Sequence, residues 1–149
     1  MDIKNFIRTL SIMHTFLIMG LFLFCVFAYM QVSGFNTNTE GLGLFLFIVP
    51  VLALLGYFGS QLFFKKQMAK LSVQDSIELK LQKFKSASNI KYILIEAPAF
   101  IGIFIYMNSG NALPFVISIC LFAYLISQRP TKQHIIQNVP LSEKEIGQL

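Results

Sequence analysis

The chain has 149 residues, of which 55% are hydrophobic and only 13% are charged. Soluble domains carry about 25% charged residues, so this composition excludes an ordinary soluble domain and indicates an integral membrane protein. The net charge of +5 does not indicate nucleic-acid binding, because the basic residues flank apolar runs instead of forming a basic face with interleaved aromatic side chains.

Four apolar runs predict four transmembrane helices, at residues 9–30, 42–64, 90–107 and 112–127. An α-helix needs roughly 20 residues to cross about 30 Å of hydrocarbon, and the last two runs are slightly short of that length. We expect the first run to be a retained anchor and not a cleaved signal peptide, because no small-residue cleavage site follows it. The predicted fold is an all-α, up-down bundle of four transmembrane helices that forms one membrane domain over residues 1–149.

The basic residues predict the orientation of this bundle. The links at residues 31–41 and 108–111 contain no Lys or Arg. The 12 basic residues all lie before the first run, around the link between the second and third runs, or after the fourth run. Cytoplasmic segments of membrane proteins are enriched in Lys and Arg. We therefore predict that both termini and the loop at residues 65–89 are cytoplasmic, in a multi-pass protein of the bacterial cytoplasmic (inner) membrane.

The cytoplasmic loop at residues 65–89 contains a helical pattern. Ser72 and Asp75 have capping-box spacing, with Asp in place of the usual Glu. Ile77, Leu81 and Phe84 then fall on one helical face. The pattern predicts a short, basic amphipathic helix on the inner leaflet. Its role is either structural docking or recognition of a partner or lipid, and the lysines expected to make these contacts are Lys80, Lys83, Lys85 and Lys91.

The tail at residues 128–149 contains two prolines and one further helix signal. Ser142 and Glu145 form a second capping box, which predicts a last helical turn. We expect His134 to be solvated. The tail is too short for a domain but long enough to contact a partner.

Glu96 is the only acidic residue in the four apolar runs, and it lies two residues before Pro98. A charged acid at mid-membrane costs roughly 2.5–3.5 kcal/mol. Pro98 and Pro50 each remove a helical hydrogen bond, so we expect kinks there. Apart from Ser118, the other polar side chains of the runs gather largely in their cytoplasmic halves. We predict an intramembrane polar cluster of Glu96, His14, Tyr57, Ser60, Gln61, Tyr92 and Tyr124.

Three roles for Glu96 remain open. It could be a neutral or hydrogen-bonded acid that joins helices through His14 or a tyrosine. It could meet a basic or polar group of another subunit. It could also be the proton or cation site of a small transporter, although a transport path needs polar groups on both sides of the barrier.

No enzyme is predicted, because a nucleophile, base and orienting group cannot be assembled from these residues. Cys25 and Cys120 are interpreted as apolar side chains, and no metal-ligand spacing occurs, so neither a metal nor a cofactor is expected. The predicted function is a non-enzymatic accessory or scaffolding subunit of an inner-membrane complex. The alternative is a small proton- or cation-coupled transporter that uses Glu96. The expected partners are the lipid bilayer and a membrane protein or a second copy of the chain.

Two segments of the C-terminal 60 residues carry a family resemblance. "IEAPAFIGIFIYMNSGN" and, one span later, "RPTKQHIIQNVPLSEKE" resemble small four-span inner-membrane proteins of Bacteroidetes. The resemblance implies a bacterial inner-membrane location and no particular mechanism. Small multidrug transporters are similar in span count, but their membrane Glu lies in the first span, where this chain has His14.

Overall fold

The computed structural model describes residues 3–148, and its backbone is a bundle of α-helices. The predicted domain also includes residues 1, 2 and 149, which lie outside the described part. The described helices are α1 (Ile3–Gln31), α2 (Phe45–Met68), α3 (Ile77–Ser109), α4 (Ala112–Ser127), α5 (Lys132–Asn138) and α6 (Glu143–Gln148), with a short 3-10 turn at Glu40–Leu42. The all-helical prediction is confirmed.

Three of these helices, α1, α2 and α3, are long and apolar enough to cross a membrane. A fourth span is reached if α4 and α5 count together as one bent span, with an angle of 87° between them. The limits of α4 coincide with the fourth predicted run, and α1, α2 and α3 cover nearly all of the other three. The protein is therefore a multi-pass helical protein with three to four candidate spans.

The two short links between helices lie side by side at one end of the bundle. Asn36, between α1 and α2, and Asn111, between α3 and α4, form an isolated parallel bridge. The Asn36 N–H donates to Gly110 O, and the Ala112 N–H donates to Asn36 O, both at 2.9 Å. The Asn111 side chain also donates to Asn38 O at 2.8 Å. This end, which contains Glu40 but no Lys or Arg, is the non-basic end, and the opposite end is the basic end.

Helix α3 is continuous over 33 residues, so the prediction of a separate amphipathic helix on the inner leaflet was wrong. The predicted capping pair does form, because the Ser72 N–H donates to Asp75 Oδ2 at 2.8 Å, but it closes a turn and starts no helix. The helix begins after Ser76, whose hydroxyl accepts the Leu79 N–H. No Gly or Pro interrupts residues 77–97, so the amphipathic turns and the apolar run join into one helix.

Helix α3 packs closely against α2 and α4 at two glycines. A Cβ at Gly56 of α2 would lie 2.5 Å from the Leu94 carbonyl oxygen and 2.8 Å from Pro98 Cγ. A Cβ at Gly102 would clash with the Ser118 hydroxyl of α4 and lie 2.9 Å from the Pro114 carbonyl oxygen. Small residues at such positions let helix backbones approach closely inside a membrane.

The prolines predicted to kink α2 and α3 both lie within continuous helix. Pro98 has no N–H to donate to the Leu94 carbonyl. A Gly56 Cα–H bond points along the direction of the missing Cβ, toward that same oxygen. The absence of a side chain at Gly56 thus lets the α2 backbone lie directly beside the carbonyl that Pro98 leaves without its helical partner.

The basic end contains a hydrophobic core of its own, to which the tail contributes. Ile135 of α5 and Val139, which directly follows α5, are buried in it. His134 stacks on Phe64 with ring centroids 5.7 Å apart, so the expectation that this histidine is solvated was wrong. The other buried members come from α1, α2, α3 and the segment after α2: Phe6, Leu10, Phe64, Met68, Leu71, Leu81, Phe84 and Ala87.

Candidate functional site

Glu96 lies on the side of α3 that faces α1. One turn before it, the Tyr92 ring contacts His14 of α1 at 4.7 Å, and one turn after it, the Phe100 ring contacts Phe24 of α1 at 5.2 Å. Between these two levels, the α1 side chains that pack on the core are Leu17, Ile18 and Leu21. Glu96 is therefore held against an apolar stretch of α1.

The Glu96 side chain is 9% exposed and forms no hydrogen bond or ion pair with any residue described in the structure. Ala97, the next residue, is exposed on the outer surface of the bundle. The carboxyl group consequently lies close to the surface, at the edge of the contact between α1 and α3.

His14 and Tyr92 instead bind the C-terminal end of α4. His14 Nε2 is 2.9 Å from the Leu125 carbonyl oxygen, and because a carbonyl can only accept, Nε2 carries the proton. The Tyr92 hydroxyl donates to the Gln128 carbonyl oxygen at 3.2 Å. The last carbonyls of a helix have no partner within the helix. These two side chains therefore cap α4 from α1 and α3.

Tyr57, Gln61 and Tyr124 form a second, separate group between α2 and α4. Gln61 Nε2 donates to the Tyr124 hydroxyl at 3.0 Å, and the two tyrosine rings are 4.7 Å apart. Ser60 is buried, but its hydroxyl donates to the Tyr57 carbonyl of its own helix at 2.8 Å. Small Gly56 and Ser60 share the α2 face that packs on the bundle.

The predicted polar cluster is thus divided into two groups, and Glu96 belongs to neither. A hydrogen bond from His14 or a tyrosine to Glu96, which belonged to one of the three roles left open by the sequence, is not formed among residues 3–148. The physical reason is that backbone carbonyls at the end of α4 compete for the same donors, and their positions do not show in the sequence.

The four lysines expected to contact the inner leaflet or a partner have different environments. Lys80 is completely buried and paired with Glu145, and Lys91 is 5% exposed with its ammonium 4.7 Å from the centroid of the Phe64 ring. These two are therefore enclosed by the chain itself. Lys83 and Lys85 are half-buried, and leaflet or partner contact remains a prediction for them.

Two roles at the basic end were not predicted from the sequence. Glu145 is the ion-pair partner of Lys80, and the His134 ring is packed against Phe64. A signal for helix α5 was available, because Thr131 follows Pro130 and its hydroxyl accepts the His134 N–H as an N-cap.

Within residues 3–148, no group of three or more His, Cys, Asp or Glu side chains is placed to hold a metal ion. No protein-family model, curated protein or solved structure matches the chain.

Proposed function

We propose that this chain is a non-enzymatic accessory subunit of a complex in the bacterial inner membrane, and that Glu96 contacts a basic or polar group of a partner subunit. The basic end would face the cytoplasm, in keeping with the usual excess of Lys and Arg there. The observation that carries the proposal is Glu96, a residue only 9% exposed beside apolar side chains, whose carboxyl group has no hydrogen bond or ion pair within the described residues.

The energetics favour a partner for this group. An unpaired charge within the hydrocarbon is expensive, and such residues in membrane proteins almost always meet another polar group. The donors one turn before Glu96 are His14 and Tyr92, and both already bind carbonyl oxygens at the end of α4. A donor from a second protein would remove most of the cost, and the position of Glu96 beside exposed Ala97 makes such a contact sterically possible.

The transport alternative uses the same carboxylate but has less support. A conducting path needs polar or wet groups along its length. Toward the non-basic end, α1 and α3 are packed through Leu21, Ala28, Ile103 and Tyr106, none of which is exposed. The polar groups of His14, Tyr92, Gln61 and Tyr124 serve in caps and contacts between helices.

The proposal is tested by co-purification and site-specific cross-linking of the full chain. In a mild detergent we expect a stoichiometric second protein, and a photoreactive residue at Ala97 should cross-link to it, whereas one at Val116 of α4 should not. Glu96→Gln should weaken the complex by at least about 30-fold, since loss of one partner of a buried charge pair costs roughly 2–5 kcal/mol. Glu143→Gln, an exposed acid in the tail, is the matched control.

Other outcomes would contradict this function. A monomer without an Ala97 cross-link would remove the partner, and a cross-link to a second copy of the chain would indicate a homo-oligomer. A pH-driven flux in reconstituted vesicles, lost in Glu96→Gln and kept in Glu143→Gln, would favour the transporter.

A further inference from the structure

A cavity of about 280 Å³ lies at the basic end, between α2, α3, the end of α4 and α5. Its volume is near the lower end of the range for small-molecule sites, roughly 300–1,000 Å³. It is independent of Glu96 and of the partner proposed above. Its lining includes two lysines, a histidine and four further polar side chains, and it includes no Asp or Glu: Lys65, Lys91, His134, Gln61, Tyr124, Gln128 and Asn138.

Lys91 is the unusual member of this lining. It is 95% buried, and its ammonium forms no hydrogen bond or ion pair with the described residues, its one recorded contact being with the face of Phe64. The ammonium nitrogen itself keeps some surface open to the cavity, since only Ser88, Tyr106 and His134 have a fully buried side-chain polar atom without a partner among the described residues, and its cation–π contact contributes about 0.5–2 kcal/mol. The ammonium therefore lacks an anion of opposite charge, and the cavity provides the space for one.

Further donors line the same cavity. The Tyr124 hydroxyl accepts a hydrogen bond from Gln61, so its own O–H is free to donate. Exposed Lys65 adds a second positive charge to the lining. The His134 ring lies between Phe64 and Phe84, and its Nδ1 is buried with no hydrogen-bond partner among residues 3–148. Charge and donor count both favour an anion that accepts several hydrogen bonds.

We propose that this cavity binds a phosphate group, with the Lys91 ammonium as its counter-charge and the Tyr124 hydroxyl as a donor. Lysine is a frequent phosphate ligand and acts as a point charge. The phosphate comes either from a lipid headgroup or from a soluble phosphate, since the cavity lies where the apolar part of the bundle meets the basic end. Tetrahedral oxyanions offer more acceptor positions than a carboxylate does, which suits donors that come from different helices.

Burial, together with the neighbouring Lys91 ammonium, lowers the pKa of His134. Burial is the larger of the two causes, and the contribution of Lys91 follows from the proximity of its ammonium to the ring. A bound phosphate would offset the charge of that ammonium.

The experiment measures binding to the full chain in a maltoside detergent, which contains no phosphate. One arm titrates inorganic phosphate by calorimetry, with acetate as the comparison anion. The other arm adds phosphatidylglycerol and counts retained lipid by native mass spectrometry. Lys91→Met is compared with Lys66→Met, an exposed lysine that does not line the cavity.

We expect wild type and Lys66→Met to bind one of the two phosphate probes and to bind acetate more weakly. Lys91→Met should lose about 10-fold to 100-fold in affinity, the effect of one charge-assisted hydrogen bond. Without ligand, Lys91→Met should unfold at a higher temperature than wild type, because an unpaired buried charge is replaced by an apolar side chain. Binding of inorganic phosphate assigns a soluble ligand, and binding of the lipid alone assigns a headgroup.

The proposal is overturned if wild type binds neither probe, if acetate binds as tightly as phosphate, or if Lys91→Met binds as wild type does. If Lys91→Met does not fold, Tyr124→Phe replaces it. That variant keeps every charge and should weaken phosphate binding by about 2-fold to 10-fold, the contribution of one neutral hydrogen bond. Unchanged affinity in Tyr124→Phe would then count against the site.

Discussion

Lys80 joins three segments of the chain through one ammonium group. It donates to the Val73 carbonyl oxygen at 2.9 Å and to both Glu145 carboxylate oxygens at 3.1 and 3.0 Å. Glu145 in turn accepts the Ser142 N–H at 2.7 Å and caps α6. The segment before α3, α3 itself and the last helix are thereby fixed to one another at the basic end.

Removal of the carboxylate should release the tail. Glu145→Gln leaves the Lys80 ammonium buried without an anion, which costs about 3 kcal/mol when one partner of a buried pair is lost. We expect faster hydrogen exchange in α5 and α6, while the interior of α3 keeps its protection. Glu143→Gln, which removes an exposed acid two residues away, should leave the exchange unchanged, and an equal effect of the two variants would refute the role of the ion pair.

Low pH should release the tail of the wild-type chain in the same way. The Ser142 N–H, with a smaller contribution from Lys80, holds the pKa of Glu145 below its ordinary value of 4.5, against the opposing effect of burial. A depressed pKa stabilises the folded state fully above the unfolded value, and this stabilisation is lost as the pH falls through the folded value. Tail protection should therefore be constant from pH 7 to about pH 5 and decline below about pH 4.5, and Glu145→Gln should remove this part of the decline.

The contacts of these residues were predictable when the two partners are close in the sequence, and were not predictable when the partners are far apart. Ser142 and Glu145 are three residues apart, so their capping box was predicted from local spacing, and it is confirmed by the Ser142 N–H bond to Glu145. The bond from Lys80 to Glu145 spans 65 residues. Helical periodicity places Lys80 on a face of α3, but it cannot show that the tail returns to cover that face.

Helix α3 is the element on which the others are assembled. Gly56 of α2 contacts it at Leu94 and Pro98, and the Ser118 hydroxyl of α4 donates to its Ala99 carbonyl oxygen at 2.9 Å. His14 and Phe24 of α1 contact its Tyr92 and Phe100 rings. Tight backbone approach on two sides therefore fixes α3, and the third side, which carries Glu96, is packed by side chains alone.

Gly56→Ala should destabilise the contact between α2 and α3. The added methyl group would lie 2.5 Å from a backbone oxygen, which cannot move without shifting a helix. Overpacking of this kind costs about 1–3 kcal/mol. Gly59→Ala is the matched control, because a methyl group added there would have no atom within 4 Å and alanine favours a helix. Thermal unfolding in detergent should separate the two variants, and equal midpoints would contradict close packing at Gly56.

The elements were predictable where composition alone decides them. The limits of α4 follow from an apolar run bounded by Asn111, whose side chain accepts the Leu113 N–H, and by Pro130. The start of α3 was misplaced because the amphipathic and apolar segments have different compositions, although both favour helix. A change in composition indicates where a segment enters the membrane. The limits of a helix are set instead by capping residues and by helix-breaking residues.

The two ends of the molecule have different construction. At the non-basic end, two short links are joined by backbone hydrogen bonds and by the Asn111 side chain. At the basic end, α5 covers a second hydrophobic core and encloses Lys80 and Lys91. Every Lys and Arg lies in or near the basic end. The distribution of charge and the packing therefore both distinguish this end from the other. This agreement is the basis for the proposed orientation.

Helix α4 decides whether the number of crossings is even. Its 16 residues span about 24 Å at 1.5 Å per residue, less than the roughly 30 Å of hydrocarbon. Short helices are accommodated by local thinning of the bilayer at modest cost. The bridge between Asn36 and Asn111 places the start of α4 at the non-basic end, and its last carbonyls are capped beside α5 at the basic end. We therefore expect α4 to cross completely.

Labelling of single cysteines tests this crossing in a variant with Cys25→Ala and Cys120→Ala. In intact cells, an impermeant maleimide should label Thr37→Cys, in the link between α1 and α2. Lys70→Cys, after α2, and Gln137→Cys, in α5, should react only after the membrane is opened. All three positions are exposed in the structure, so access depends on the side of the membrane alone. Labelling of Gln137→Cys together with Thr37→Cys, with Lys70→Cys still protected, would mean that α4 turns back without crossing and that the chain crosses three times.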